Sequence, residues 1–512
     1  MQRTKRSILN VVVSFASYAV LLVTAFVVQH YLVTEKGAEY NAINGLFGNI
    51  LTMMSLADLG IGTAIIYHMY KPVAQRDEDT INALLVFYKK CYLVISLIVV
   101  FIGIIIGFLV PVIVGENSID DNIYVIFGFF VFDCLCSYFL AYKKSLLYAD
   151  LRNYVADGIY FFVYIVQCVL QVMALVVYKD YLLFLVFKSG GKIFSNIFTS
   201  IYIKKAYPFV KERGVKKIPD ETRADIVTKV KGLLFHKIGR ILVTGSDSIV
   251  ITSMLGLSVM NIYTNYRLVI AGIAALLNRV FETLTNSVGN LLIENSHEKN
   301  LLVYKRIDFI NFECFGLVTA GMYAILRPLV IMWVGDEFLF AESVVWALCI
   351  SFYMDGMKAS VNTFKEAAGI FHEDRHIPVI EAVINLGLSI ALASFMGALG
   401  VVIGTIVSTF VVFFYSYPKF VLKPLFGMKK STYVIKTVCR LLVMCAVLGI
   451  IAVFDRFTVS MNPMASFVIN GLFAVVVFTV VSIAIYGRSE EFRYCIELVT
   501  KRLHSGAKKA KK

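Results

Sequence analysis

The sequence predicts an all-α integral membrane protein of about fourteen transmembrane helices with both termini in the cytoplasm. Three observations carry this reading: a very apolar composition, a succession of bilayer-length apolar runs, and a one-sided distribution of lysine and arginine. Of 512 residues, 59% are hydrophobic and only 16% charged, with a mean hydropathy of +0.76. Soluble domains stand near half apolar and about a quarter charged. The 40 Phe and 28 Tyr supply material for interfacial anchoring. The nine cysteines scatter through apolar runs without a C-x-x-C pair, so neither a disulfide framework nor a thiolate metal site is indicated.

The first run, about Ile8 to Val33, follows Arg3, Lys5 and Arg6. It is too long for a signal-peptide core and lacks a small-residue cleavage site, which makes it an uncleaved first span. Further runs lie near 43–69, 91–114, 123–142, 154–178, 181–203, 233–256, 259–285, 309–334, 342–367, 377–397, 399–418, 433–454 and 463–486. With a cytoplasmic N-terminus, the alternate segments on that side hold 39 Lys and Arg, against Lys36, Lys179 and Arg456 outside. That asymmetry is a positive-inside signal, and an even number of spans returns the C-terminus to the same side. The net charge of +14 is therefore a record of topology and needs no nucleic-acid partner.

Two cytoplasmic segments have amphipathic spacing. Ile226, Val230, Leu233 and Lys237 precede span seven, and Phe492, Ile496, Val499 and Leu503 line the tail among Arg493, Lys501 and Arg502. The tail reads either as a basic helix on anionic headgroups or as a solvated end kept basic for topology.

His372-Glu373-Asp374-Arg375-His376 matches H-E-x-x-H, the zinc-protease pattern. Here it falls in the short turn between spans ten and eleven, and Pro378 biases Ile377 away from helix where a zinc helix should continue. A third ligand is also wanting, since Glu381 lies about 140° round a helix from His376. The expectation is a charged turn with surface histidines, with no metal and no cofactor.

Charges within the runs are more informative. Lys188, Lys192, Arg267, Arg279, Arg327, Lys358 and Lys365 lie there, as do Asp58, Asp133, Asp157, Asp247, Asp355 and Glu381, with Arg240 two turns into span seven. Facing lipid, each costs at least about 2.5–3.5 kcal/mol, so each faces a wet cavity or a partner, except that Arg279, Lys365 and Asp157 stand near cytoplasmic ends and can snorkel. Rise per residue places Asp58, Asp133, Asp247, Lys192 and Arg267 near the midplane, where transporter substrate sites gather. In span six, Ser189-Gly190-Gly191 separates Lys188 from Lys192. Opened backbone N–H groups beside two lysines suit an anion such as phosphate, while a simple kink with snorkelling lysines is the alternative. Gly103/Gly107 and Gly400/Gly404 have the G-x-x-x-G spacing of close helix approach.

The stretches at 37–81 ("GAEYNAINGLFGNILTMMSLADLGIGTAIIYHMYKPVAQRDEDTI"), 234–269 and 362–390 resemble bacterial polysaccharide repeat-unit flippases of the Wzx type, a likeness running from about residue 5 to 440. The resemblance implies the fold of the multidrug/oligosaccharidyl-lipid/polysaccharide exporters. Its parts would be a six-helix bundle at 1–205, a cytoplasmic amphipathic linker at 206–232, a second six-helix bundle at 233–430, two appended helices at 431–487 and a basic tail at 488–512. It further implies a polyprenyl-pyrophosphate-linked oligosaccharide moved between leaflets of a bacterial cytoplasmic membrane, among membrane lipids, a polysaccharide polymerase and glycosyltransferases, with no chemical reaction catalysed. Arg240, Arg267, Lys188 and Lys192 are the candidate pyrophosphate ligands, because an anion crossing hydrocarbon needs positive partners. Asp58 and Asp133 are the candidate carriers of a coupling proton or sodium ion. A cation-coupled drug exporter of the same superfamily is the alternative, for which acids rather than bases should dominate the cavity.

Overall fold

The computed structural model describes residues 20–54, 61–150, 152–211, 218–224, 226, 245–282, 284–294, 297–370 and 373–497. Among them every regular element is helical, and ten helices are long and apolar enough to cross a membrane. The chain is a multi-pass membrane protein. By contacts it divides into two units, Met1–Thr264 with Pro378–Ala382, and Asn265–Ile377 with Val383–Lys512.

The first unit contains α1 (20–36), α2 (Ala38–Met54), α3 (Ile61–Gln75), α4 (Glu78–Val114), α5 (Ile123–Tyr138), α6 (Lys144–Ala149), α7 (Asn153–Val176), α8 (Tyr181–Ala206) and α9 (245–255). It also takes the first residues of α10 (Leu257–Glu282). The 37 residues of α4 extend over about 55 Å, well beyond a hydrocarbon core of about 30 Å. Its first turns, which hydropathy marks as loop, are a capped helix: Asp77 accepts from the Thr80 N–H at 3.1 Å. Asn82 in this extension donates to the Phe209 carbonyl and accepts from the Lys211 N–H, which moors the segment following α8.

Along α2, Asn41, Gly45 and Asn49 repeat every four residues and so share one face. Asn41 donates to Asn261 at 2.6 Å and Asn49 to Ser248 at 2.6 Å. A Cβ on Gly45 would stand 2.2 Å from the Thr264 hydroxyl oxygen, so the two backbones approach as only glycine permits.

The remainder of α10 belongs to the second unit, with α11 (Thr285–Glu294), α12 (His297–Trp333), α13 (Glu342–Ala367), α14 (Ile377–Met396, apart from Pro378–Ala382), α15 (Ala398–Val411), α16 (Lys423–Phe426), α17 (Lys430–Thr458), α18 (Pro463–Tyr486) and α19 (490–497). Helix α12 repeats the pattern of α4, starting a dozen residues before its apolar run. From α15 the chain continues through a π-helical stretch, Val412–Leu422, which accommodates Pro418 inside a helix. In the tail, α19 rests on α12: the Phe492 ring meets Phe309, and Arg306 lies 4.0 Å from the Tyr494 ring centre. Phe492 therefore faces protein, while Ile496 stays exposed. Of the stripe expected before span seven, Ile226 is buried, and Val230, Leu233 and Lys237 lie outside the described residues.

Candidate functional site

Helix α8 has two faces. Val186, Phe194, Phe198 and Ile201 are exposed on one, whereas Ser189, Ser195, Asn196 and Thr199 are buried on the other. Such a division fits a helix with lipid on one side and a polar protein interior on the other. Asn196 donates to the Cys136 carbonyl of α5 at 3.1 Å, which holds the polar face against that helix.

At this seam Lys192 donates to Asp133 at 2.6 Å. The carboxylate is buried, with 3% of the residue exposed, and the lysine is half-buried. One turn earlier, Lys188 donates to Asn44 Oδ1 of α2 at 3.3 Å and lies 4.2 Å from the Phe130 ring centre. The ring face attracts the ammonium electrostatically, so this lysine is held by a neutral amide and an aromatic ring. Two cations and one anion thus share this seam between α5 and α8. Asp133 Oδ1, Ser189 Oγ and Ser195 Oγ are buried with no hydrogen-bond partner among the described residues. An orphaned polar atom costs about 1–3 kcal/mol, which marks a place able to take up a proton, an ion or a polar ligand.

Three of the six residues singled out in the sequence, Lys188, Lys192 and Asp133, therefore come together. Arg267 is half-buried on α10 and belongs to the second unit. Asp58 and Arg240 lie outside the described residues. The backbone cradle expected at Ser189-Gly190-Gly191 does not form, because α8 runs unbroken through the tandem glycines. A Cβ on Gly191 would stand 1.9 Å from Gln167 Oε1 of α7, so this glycine serves close helix packing rather than opening N–H groups. Gly400 and Gly404 likewise meet Leu392 and Ser389 of α14 at distances only glycine allows, while Gly107 has ordinary clearance.

A buried charge cluster among the described residues of the second unit was not among the sequence candidates. Asp308 on α12 accepts from Lys436 at 2.7 Å and Arg440 at 2.8 Å, both on α17, and from Ser360 of α13 at 3.0 Å. Arg440 also lies over the Phe312 ring at 4.8 Å. Asp308 stands one residue before the apolar run of its span, and the two bases read as cytoplasmic topology signals. A search for acids just outside run boundaries, opposite bases just inside another, would have found it.

Most other intramembrane charges of this unit are paired. Arg327 reaches Asp455 at 3.9 Å and Lys358 reaches Asp355 at 3.4 Å. Lys365 bonds the buried Asp374, which also accepts from Ser416 at 3.1 Å. This Asp374 is the third residue of the H-E-x-x-H stretch. Residues 373–376 form a turn, with Glu373 and His376 exposed, and the helix begins only at Ile377 with Pro378 in its first turn. His372 lies outside the described residues. No group of three potential metal ligands occurs among the described residues.

No protein-family model matches the sequence, and no characterised protein sequence matches it either. Solved structures do. The lipid II flippase MurJ in an inward closed conformation is similar at a TM-score of 0.64 with 13% identity, over 94% of this chain and 99% of that one. An inward-facing multidrug resistance MATE family transporter of the MOP superfamily is similar at 0.55 with 15% identity, over 79% of this chain and 94% of that one. The Vibrio cholerae MATE transporter VcmN, as a point mutant, is similar at 0.53 with 11% identity, over 80% and 94%. At these identities the likeness is one of architecture: the chain has the multi-helical fold shared by MurJ and the MATE transporters.

Proposed function

We propose that this protein is a transporter that moves a polyprenyl-pyrophosphate-linked oligosaccharide from the inner to the outer leaflet of a bacterial cytoplasmic membrane, for surface polysaccharide assembly. The observation that carries the reading is the cationic seam between α5 and α8, where Lys188 and Lys192 stand with Asp133. A pyrophosphate leaving water needs such partners, whereas a cationic drug would be repelled by them. The extent of the structural likeness supports the same choice. The match to the lipid II flippase MurJ takes in almost all of both chains, while the MATE match leaves about a fifth of this chain unmatched.

Lys192 is neutralised by Asp133 as it stands. A coupling ion taken up at Asp133 offsets that carboxylate and frees the ammonium for a phosphate oxygen, so ion uptake and anion binding favour each other. Coupling of this kind is reciprocal: the anion that claims Lys192 leaves Asp133 open to the coupling ion. Such linkage gives alternating access a differential affinity to act on, without ATP. Arg240 and Arg267 are the further candidate anion ligands in this reading, and Asp58 is a second candidate for the coupling ion.

The test is surface-glycan export in a deletion strain complemented with Lys192→Ala, Arg240→Ala or Arg267→Ala, with membrane levels checked. Loss of export with lipid-linked saccharide retained in the inner leaflet is the expected result. Full export by all three variants would reduce these charges to helix-packing partners and sink the proposal.

A further inference from the structure

The outer surface between α7 and α8 holds a cavity of about 530 Å³, walled by Phe162, Val166, Phe194 and Phe198 and floored by Gly190 and Gly191. The tandem glycines build it in two ways. Gly191 lets α7 come close through Gln167, and Gly190 leaves the floor bare, since a Cβ there would meet only the Phe194 ring at 3.9 Å. The walls are apolar and outward: Phe162 is 70% exposed and Val166 59%. In a membrane-spanning chain, an apolar groove on this surface is filled by hydrocarbon, so the informative question is which hydrocarbon.

The charge at one end answers it. From Phe187 to Phe198 the groove follows α8 for about 16 Å, and Lys204 and Lys205 stand about 10 Å farther along the same helix. Lys205 is seven residues past Phe198 and so continues the groove's face. Both lysines are exposed. The acids Asp150 and Asp157 at this end are already engaged: Asp150 pairs with Arg152 at 2.8 Å and accepts from the Tyr207 hydroxyl at 2.7 Å, and half-buried Asp157 interacts electrostatically with Lys144. Burial and this hydrogen bond hold the Tyr207 phenol well above its usual range, so it stays a neutral donor to the carboxylate. We infer that the α7–α8 groove is a binding site for one anionic glycerophospholipid of the inner leaflet, its acyl chain over Gly190 and its phosphate between Lys204 and Lys205. The inference stands apart from the identity of the transported molecule.

Tryptophan quenching by brominated lipid reads the site directly. The full-length chain carries Phe198→Trp, with Trp333→Phe and Trp346→Phe to silence the native signal, in phosphatidylcholine nanodiscs. A small mole fraction of chain-brominated phosphatidylglycerol should quench several-fold more than the same fraction of brominated phosphatidylcholine. Lys204→Gln and Lys205→Gln should each reduce that excess about five-fold, the ratio equivalent to about 1 kcal/mol per basic residue at an anionic surface. Gly190→Leu, which fills the floor and meets no backbone, should abolish it. Equal quenching by the two lipids would reduce the groove to ordinary lipid contact and overturn the inference. So would an excess that survives Gly190→Leu, or relief of quenching by equimolar polyprenyl phosphate, which would assign the groove to a prenyl chain instead.

Discussion

The Asp308 carboxylate on α12 and the Arg440 guanidinium on α17 meet at 2.8 Å, both about 95% shielded from solvent. Lys436 shares the same oxygen, so one buried anion serves two cations from the penultimate span. This relationship fastens α17 to the core of the second unit. Lys436 is a third exposed and its pairing is partly screened, which leaves Arg440 as the partner that matters most.

Removing the shared acid should therefore be costly. Asp308→Ala strands a buried arginine, and breaking such a pair from one side costs about 3–5 kcal/mol. The expected result is a large fall in the thermal unfolding midpoint of the detergent-solubilised protein. Asp308→Leu combined with Arg440→Met should recover much of it, because the penalty lies in the unpaired charge. A double variant as unstable as Asp308→Ala would show that the site is held by packing instead.

Of the fourteen spans expected, ten coincide with described helices long and apolar enough to cross a membrane; these were legible because hydrocarbon thickness imposes a simple rule on sequence, about twenty apolar residues per crossing. Helix ends obey no such rule, which is why the extensions of α4 and α12 read as loops although Asp77 caps one of them. The Ser189-Gly190-Gly191 stretch misled for a related reason. Glycine's helix penalty is readable locally, but the compensating contact of Gly191 with Gln167 comes from another helix. Asp133 and Lys192 were recognisable as midplane charges, whereas their pairing depends on how α5 and α8 rotate against each other. Asp308 fell one residue outside an apolar run and so escaped attention.

Two glycines should respond oppositely to alanine. At Gly400 a Cβ would lie 2.2 Å from the Leu392 carbonyl oxygen, and backbone cannot swing aside as a side chain can. Gly400→Ala should push α15 from α14 and lower stability by about 1–3 kcal/mol, in the range of overpacked sites. At Gly449 in the middle of α17 nothing lies within 4 Å. Gly449→Ala should be neutral or stabilise by up to about 1 kcal/mol, from helix propensity alone. Thermal unfolding of the two variants side by side checks the contrast, and equal effects would contradict it.

The H-E-x-x-H stretch should bind no zinc. Its Asp374 is buried on Lys365 and Ser416, fixing the segment as a turn, and His376 is exposed on that turn. His372→Ala and His376→Ala should leave glycan export intact, and elemental analysis of the purified chain should find no stoichiometric metal. Asp374→Ala should instead destabilise the protein, since it strands Lys365. Bound zinc lost on either histidine substitution would restore the protease reading.

The Asp133–Lys192 pair gives the transport reading its sharpest test. If the carboxylate gates the ammonium, Asp133→Asn leaves Lys192 permanently without its counter-charge. Binding of a soluble pyrophosphate by the purified protein should then be tighter than in the unaltered chain. Lys192→Gln should weaken binding, which separates loss of the ligand from loss of the gate. Turnover is a further discriminator: Asp133→Asn should bind the anion yet export poorly, since the charge that returns Lys192 to its partner is gone. Wild-type affinity in Asp133→Asn would mean that the pair only fastens α5 to α8, and coupling would then have to be sought elsewhere in the chain.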